Sequence, residues 1–160
     1  MEVLSAGVAA AGYGGAAIGV KTGGTGDVTE SHRLFRAAKN PQRIGSGVIV
    51  GDYAYVVNEP SVACLDLKTG DITWNERGAL GKGCVTSADG MLYCIDEASG
   101  EVALVEASPK GWKEISRFKM NPQSSKRSAR GRIWTHPVVS NGKLYVRDQD
   151  KLLCYDVKGE

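Results

Sequence analysis

The sequence predicts an all-β fold assembled from a repeated antiparallel hairpin. Three segments share one pattern, in which an apolar strand meets a two-residue turn and the next strand carries a tyrosine near its start. The turns are Gly51-Asp52, Asp89-Gly90 and Asn141-Gly142, and Asp-Gly and Asn-Gly favour type I′ hairpins. They start 38 residues apart (51 to 89) and 52 residues apart (89 to 141), which suits one four-stranded blade per repeat. The predicted fold class is all-β: a partial β-propeller of about three to four antiparallel four-stranded blades.

The first unit, residues 1–40, is predicted to hold the second, third and fourth strands of a blade whose first strand is absent. Short apolar runs separated by glycine-rich stretches indicate strands joined by tight turns. The predicted strands are Val3 to Val8, Ala16 to Lys21 and His32 to Ala38.

The two central units, residues 44–78 and 84–120, are predicted to be complete blades. Their third and fourth strands are Val62 to Leu67 and Ile72 to Arg77, then Glu101 to Glu106 and Trp112 to Lys119. Val48-Ile49-Val50, the first strand of the earlier unit, is apolar on both faces, so we expect it to be buried between neighbouring blades. Trp74 is expected to pack against the adjacent blade.

The last unit, residues 134–160, is predicted to stop after its third strand, Lys151 to Val157. The chain then holds about fourteen strands, grouped as three, four, four and three in a single domain, residues 1–160. A β-sandwich is the alternative arrangement for these strands.

Composition excludes several classes of protein. With 42% hydrophobic and 24% charged residues the chain has the make-up of a globular domain, and a net charge of +2 does not indicate a nucleic-acid partner. Its four cysteines form no Cys-x-x-Cys pair, which argues against zinc or thioredoxin-type sites. No apolar run is long enough to span a bilayer, and Val3 to Val20 lacks the basic start of a signal peptide.

One segment carries a family resemblance. Residues 63–74 read Ala-Cys-Leu-Asp-Leu-Lys-Thr-Gly-Asp-Ile-Thr-Trp, and with one residue inserted after Ala63 this resembles the repeat of the quinoprotein-like, or pyrroloquinoline quinone repeat, β-propellers. The chain is similar to the C-terminal half of exported bacterial members of this family. Further matches are Gly26-Asp27-Val28-Thr29, Gly51-Asp52-Tyr53, Trp134 to Val138, and Leu144 to Asp148. The resemblance implies a periplasmic or extracellular location.

The resemblance also implies possible chemistry. Quinoprotein alcohol dehydrogenases of this fold bind pyrroloquinoline quinone with Ca²⁺, above a disulfide between adjacent cysteines. No two cysteines are adjacent here, so we expect neither cofactor and no catalytic residue. A fragment of a quinone-dependent oxidoreductase of the alcohol dehydrogenase type is the alternative.

Isolated titratable residues favour structural roles. Neither His32 nor His136 belongs to an obvious triad with a nucleophile and a carboxylate in the sequence, so each is interpreted as a loop or strand histidine packed near a turn. Four aspartates precede turns, and such residues commonly cap the turn through its backbone NH groups rather than bind Ca²⁺. They are Asp66, Asp96, Asp148 and Asp156.

The strongest concentration of charge lies in Ser124 to Arg132. Loops from a fourth strand to the next first strand share a rim with the turns between second and third strands, so this loop is predicted to lie beside Glu59-Pro60 and Gln149-Asp150. It is either a solvated loop or a site for an anionic partner, such as a phosphate or a polysaccharide sulfate. The candidate contact residues are Arg130, Arg132, Trp134 and His136.

The sequence therefore favours a non-catalytic binding or scaffolding module, possibly in the cell envelope. Its nearest non-enzymatic parallel in the superfamily is the propeller lipoprotein of outer-membrane protein assembly, which is an analogy of fold alone. The expected partner is another protein, or a second copy whose strands close the ring, because open sheet edges invite pairing.

Overall fold

Strands and turns make up all the regular structure in the computed structural model, which describes residues 5–10, 15–38, 47–58 and 61–159. The described residues form fourteen strands. None of them belongs to a helix long and apolar enough to cross a membrane.

The strands form four antiparallel sheets in chain order. The first sheet contains β1 (Ala6–Ala10), β2 (Ala17–Lys21) and β3 (Arg33–Ala37). The second contains β4 (Val48–Val50), β5 (Tyr53–Asn58), β6 (Ser61–Asp66) and β7 (Ile72–Arg77). The third contains β8 (Gly83–Ala88), β9 (Met91–Asp96), β10 (Glu101–Glu106) and β11 (Glu114–Lys119). The fourth contains β12 (Val138–Ser140), β13 (Lys143–Asp148) and β14 (Lys151–Asp156).

A repeated backbone hydrogen bond shows that the four sheets are copies of one unit. In each sheet, the residue after the third strand of the unit donates its NH to the carbonyl just before the second strand. The four bonds are Thr22 to Ser5, Leu67 to Asp52, Ala107 to Gly90 and Val157 to Gly142, at 2.9 to 3.0 Å. The first sheet therefore supplies the second, third and fourth strands of its unit, as the sequence predicts.

A β-bulge marks the same pairing in three sheets. The register between third and fourth strands shifts after Gly19, after Cys64 and after Leu104. A bulge adds one residue to one strand and increases the local twist. The shared position makes β3, β7 and β11 equivalent outer strands.

Three apolar clusters fill the spaces between consecutive sheets. Val56 and Leu65 lie between the first and second sheets, Tyr55 and Val85 between the second and third, and Ile95 and Leu144 between the third and fourth. The inner strands β4 and β12 both contact β8. Sheets stacked face to face around neighbouring inner strands form a partial β-propeller, and the alternative of a two-sheet sandwich is wrong.

Aromatic residues on the outer strands join each sheet to the next. Phe35 packs so closely over Gly70 that a Cβ there would lie 2.4 Å from the ring. The indole of Trp74 donates to the carbonyl of Ser108 at 2.9 Å and meets Trp112 edge to face, with centroids 6.4 Å apart. The predicted packing of Trp74 against the adjacent blade is confirmed.

The grouping of strands as three, four, four and three is confirmed, whereas some details differ. The first strand ends at Ala10 rather than Val8, and β11 begins at Glu114 because Trp112 packs in the preceding turn. Val48-Ile49-Val50 is buried on one face only: Val48 and Val50 pack against the cluster between the second and third sheets, whereas Ile49 is exposed. The blade borders and the single domain stay predictions.

Candidate functional site

The loop between β11 and β12 crosses the tops of two neighbouring sheets. Gln123 Nε2 donates to the Ser99 carbonyl at 2.6 Å, and Ile133 N donates to the Glu97 carbonyl at 2.9 Å. Gln149 Nε2 reaches the Arg132 carbonyl at 3.4 Å. The predicted rim shared by this loop and Gln149-Asp150 is confirmed, while Glu59-Pro60 lies outside the described residues.

A buried ion pair holds this loop in place. Arg127 donates from Nη2 to Asp148 Oδ2 at 2.5 Å and from Nε to Oδ1 at 3.2 Å, and the Asp148 side chain is 0% exposed. The Ser124 NH also donates to Asp148, at 2.8 Å. Burial acts to raise the pKa of Asp148, but the hydrogen bonds from Arg127 and Ser124 and the charge of Arg127 outweigh it, so the pKa lies below its usual value.

Trp134 has a fixed backbone and a free ring. Ile133, immediately before it, is buried in the cluster between the third and fourth sheets. The Trp134 carbonyl accepts a weak bond from Cys84 Sγ at 3.9 Å. Trp134 as a whole residue is 60% exposed, so the fold presents an aromatic surface to solvent from a fixed backbone.

A cleft of about 490 Å³ opens beside this indole. Its described lining residues are Lys126, Arg132, Trp134, Thr135, Arg147, Gln149 and Asp150. We call it the rim cleft. Three of these side chains are cations and one is a carboxylate, so the lining carries a positive excess.

The three cationic side chains of the rim cleft differ in their hydrogen-bond and ion-pair partners. Lys126 pairs with Asp150 at 3.3 Å, and Arg132 donates to the neighbouring Gly131 carbonyl at 2.9 Å. Arg147 donates only its Nε, to the Gln149 carbonyl at 2.9 Å, among the described groups, and no described carboxylate pairs with it. Two guanidinium groups beside an indole suit an anionic group, since arginine binds phosphate, sulfate and carboxylate through paired donors.

Two of the four contact residues predicted from the sequence line this cleft. Arg132 and Trp134 line it together, whereas Arg130 sits exposed in the turn that Gly131 N closes onto the Ser128 carbonyl. His136 is exposed and is not a described lining residue.

Sequence reasoning missed Arg147 altogether, and it placed Lys126 in the basic loop and Gln149 on the rim without naming them as contact residues. The available signal was the polar run Arg147 to Asp150, which falls at a turn between second and third strands. Such turns share the rim with the long loop.

The described acidic residues do not fit a Ca²⁺ site of the quinoprotein kind. Asp66 accepts from the NH groups of its own turn, as do Asp96 and Asp156, which confirms their predicted turn-capping role. Asp148 instead binds Arg127. No group of three His, Cys, Asp or Glu side chains in the described ranges could hold a metal.

Burial keeps three of the four cysteines away from solvent, while Cys154 is exposed. All four are free thiols, and Cys64, Cys84 and Cys94 are buried in strands. Burial raises the pKa of Cys94 to about 12, so its thiol stays protonated at neutral pH.

No protein-family model and no curated protein matches this chain. Solved structures do match. BamB from Moraxella catarrhalis is similar over 90% of this chain with a TM-score of 0.64 and 15% identity. The computationally designed Ika8 protein is similar over 89% with a TM-score of 0.56 and 9% identity. This chain spans 41% and 43% of those two chains. The likeness shows a β-propeller fold, and the narrower resemblance to the quinone repeat stays a prediction.

Proposed function

We propose that this chain is a non-catalytic β-propeller module of the cell envelope, which binds or scaffolds a partner by capturing an anionic group in the rim cleft. One observation carries the proposal: Arg132, Arg147 and an exposed Trp134 line one cleft. The loop that contributes Arg132 and Trp134 is held by a buried ion pair and by backbone hydrogen bonds. A preorganised site avoids the entropic cost of ordering a loop on binding.

The fold supports this reading of the rim. Propellers present loops from several blades on one rigid disc, and rim loops of this kind bind ligands and partners in many unrelated proteins. The envelope location rests on the family resemblance of the sequence. The partner would be another protein or a second copy that closes the ring.

Intrinsic tryptophan fluorescence provides a direct test, with dextran sulfate and inorganic phosphate as probes, because Trp134 is exposed beside the cleft while Trp74 and Trp112 are partly buried. We expect a saturable change with dextran sulfate that weakens as salt is added, because charge attraction between exposed groups is screened. Arg132→Gln should weaken binding about tenfold, the usual loss when a charged contact is removed. Arg36→Gln, on the distant first sheet, serves as the matched control and should bind as the unaltered protein does.

Binding that Arg36→Gln and Arg132→Gln weaken equally would indicate general attraction to a basic surface, and the proposal would be abandoned. The oxidoreductase alternative has its own test. A saturable rise in melting temperature with pyrroloquinoline quinone and Ca²⁺ would favour that alternative, whereas the binding module should show none.

A further inference from the structure

The outer face of the fourth sheet corresponds to the faces of the second and third sheets that pack against the next sheet. No described residue covers it. The strand registers give its equivalents in the preceding sheets. One cross-strand row runs Val48, Tyr55, Cys64 in the second sheet, Thr86, Tyr93, Leu104 in the third, and Val138, Tyr145, Cys154 in the fourth. A second row runs Val57, Val62, then Ile95, Val102, then Arg147, Leu152.

The two rows are buried or half-buried wherever a following sheet covers them. Val57 and Ile95 are each 1% exposed. In the fourth sheet Leu152 is 71% exposed, although its equivalents Val62 and Val102 are 0% and 1% exposed. Val138 is 55% exposed, whereas its equivalents Val48 and Thr86 are half-buried. Burial of apolar surface is favourable by about 25 cal/mol per Å², so a face of this kind favours a cover.

Arg147 breaks the apolar pattern of this face and indicates what kind of surface would cover it. It stands where the other sheets have Val57 and Ile95, at the end of the sheet next to the rim cleft, and it also lines that cleft. The other cation of the face, Lys143, is already paired with Asp156 at 2.5 Å. Arg147 donates to the Gln149 carbonyl and forms no ion pair with a described carboxylate, and burying an unpaired guanidinium is costly.

The first sheet of a second copy would not supply a carboxylate for Arg147. Val8, Gly19 and Phe35 form the row that faces the second sheet, so the opposite face carries Ala9, Ile18 and Arg36. That face would bring a cation towards the fourth sheet and no carboxylate from the described residues.

We infer that the outer face of the fourth sheet docks a different polypeptide, whose apolar surface covers Val138 and Leu152 while a carboxylate pairs with Arg147 at the rim. The inference rests on the proposed function, since Arg147 belongs to both surfaces. It adds an apolar contact to the charge contact. The partner is a protein surface that carries a carboxylate beside aromatic or aliphatic side chains.

Three synthetic polypeptides separate these contributions: a random copolymer of glutamate and tyrosine, polyglutamate, and a copolymer of lysine and tyrosine. We expect the glutamate–tyrosine copolymer to bind at least about tenfold more tightly than the other two. Leu152→Ser and Arg147→Gln should each weaken binding by about tenfold or more, as expected when a side chain that contributes to an interface is truncated. Ile72→Ser, which removes another exposed apolar side chain on the second sheet, is the matched control and should leave binding unchanged.

The other outcomes each overturn a stated part. Equal binding of polyglutamate and the glutamate–tyrosine copolymer, weakened by Arg132→Gln but not by Leu152→Ser, would leave the rim cleft standing and refute docking on the face. Failure of every polyanion, dextran sulfate included, would refute the proposed function as well. A dimer in sedimentation velocity that Leu152→Ser dissociates would assign the face to a second copy and contradict the inference.

Discussion

At the scale of single residues, the ion pair between Arg127 and Asp148 is a buried contact that anchors the loop beside the rim cleft. It joins a loop residue to a strand residue 21 positions later, with Asp148 fully buried. Exposed pairs such as that of Lys126 and Asp150 add little stability because water and salt screen them. The buried pair instead determines where the loop lies.

Replacing Asp148 with asparagine should be strongly destabilising, because the guanidinium of Arg127 would remain largely buried without its carboxylate. We expect the free energy of unfolding to fall by about 3 kcal/mol, as when one partner of a buried pair is removed. Urea denaturation measures this change. Asp150→Asn, which breaks only the exposed pair, is the control and should cost less than about 1 kcal/mol; equal losses in the two variants would refute the anchoring role.

The same pair makes a pH prediction. The folded-state pKa of Asp148 lies below the ordinary value of 3.8, so its stabilising contribution is complete above that value. It is lost as the pH falls through the lowered folded-state pKa. Urea midpoints measured from pH 6 down to pH 2.5 should therefore fall more steeply for the unaltered protein than for Asp148→Asn. Parallel curves would show that Asp148 does not carry this contribution.

At the scale of strands and turns, Gly83 illustrates how closely β8 and β9 approach. A Cβ at Gly83 would lie 1.7 Å from the Ile95 carbonyl oxygen, and that backbone is fixed within the third sheet. Gly83→Ala should therefore destabilise the protein by about 2 to 3 kcal/mol through overpacking. Gly7→Ala meets nothing within 4 Å and should be close to neutral. Thermal unfolding of both variants tests this, and two similar melting temperatures would contradict the close approach.

The turns and strands could be predicted because their signals are local. Asp89, Gly90, Asn141 and Gly142 all have positive φ, as the type I′ prediction from their sequence requires. The start of β11 could not be predicted, since Trp112 leaves the strand to meet Trp74 of another sheet. Contacts that join distant segments leave no local pattern.

The rim cleft was predictable in part for the same reason. Arg132 and Trp134 lie in one basic segment, so composition reveals them. Arg147 lies in β13 of the next unit, and only the way the loop crosses the rim brings it to the same cleft. Its second signal, a cation at a position where the other units have an aliphatic residue, needs the strand registers before it can be recognised.

At the scale of the whole molecule, the central claim is a stack of four sheets in which the third is covered on both faces and the fourth on one. Apolar clusters lie on either side of the third sheet, while the outer face of the fourth sheet exposes Val138 and Leu152. Since each unit buries its faces only against its neighbours, local stability should be greatest inside the stack.

Amide hydrogen exchange followed by mass spectrometry tests this claim most directly. In the isolated protein, peptides from β9 and β10 should exchange most slowly, and peptides from β14 markedly faster. Among the described strands β14 pairs with β13 alone, and no described residue covers one face of its sheet. Protection of β14 equal to that of β9 and β10 would contradict the proposed stack with an open fourth sheet.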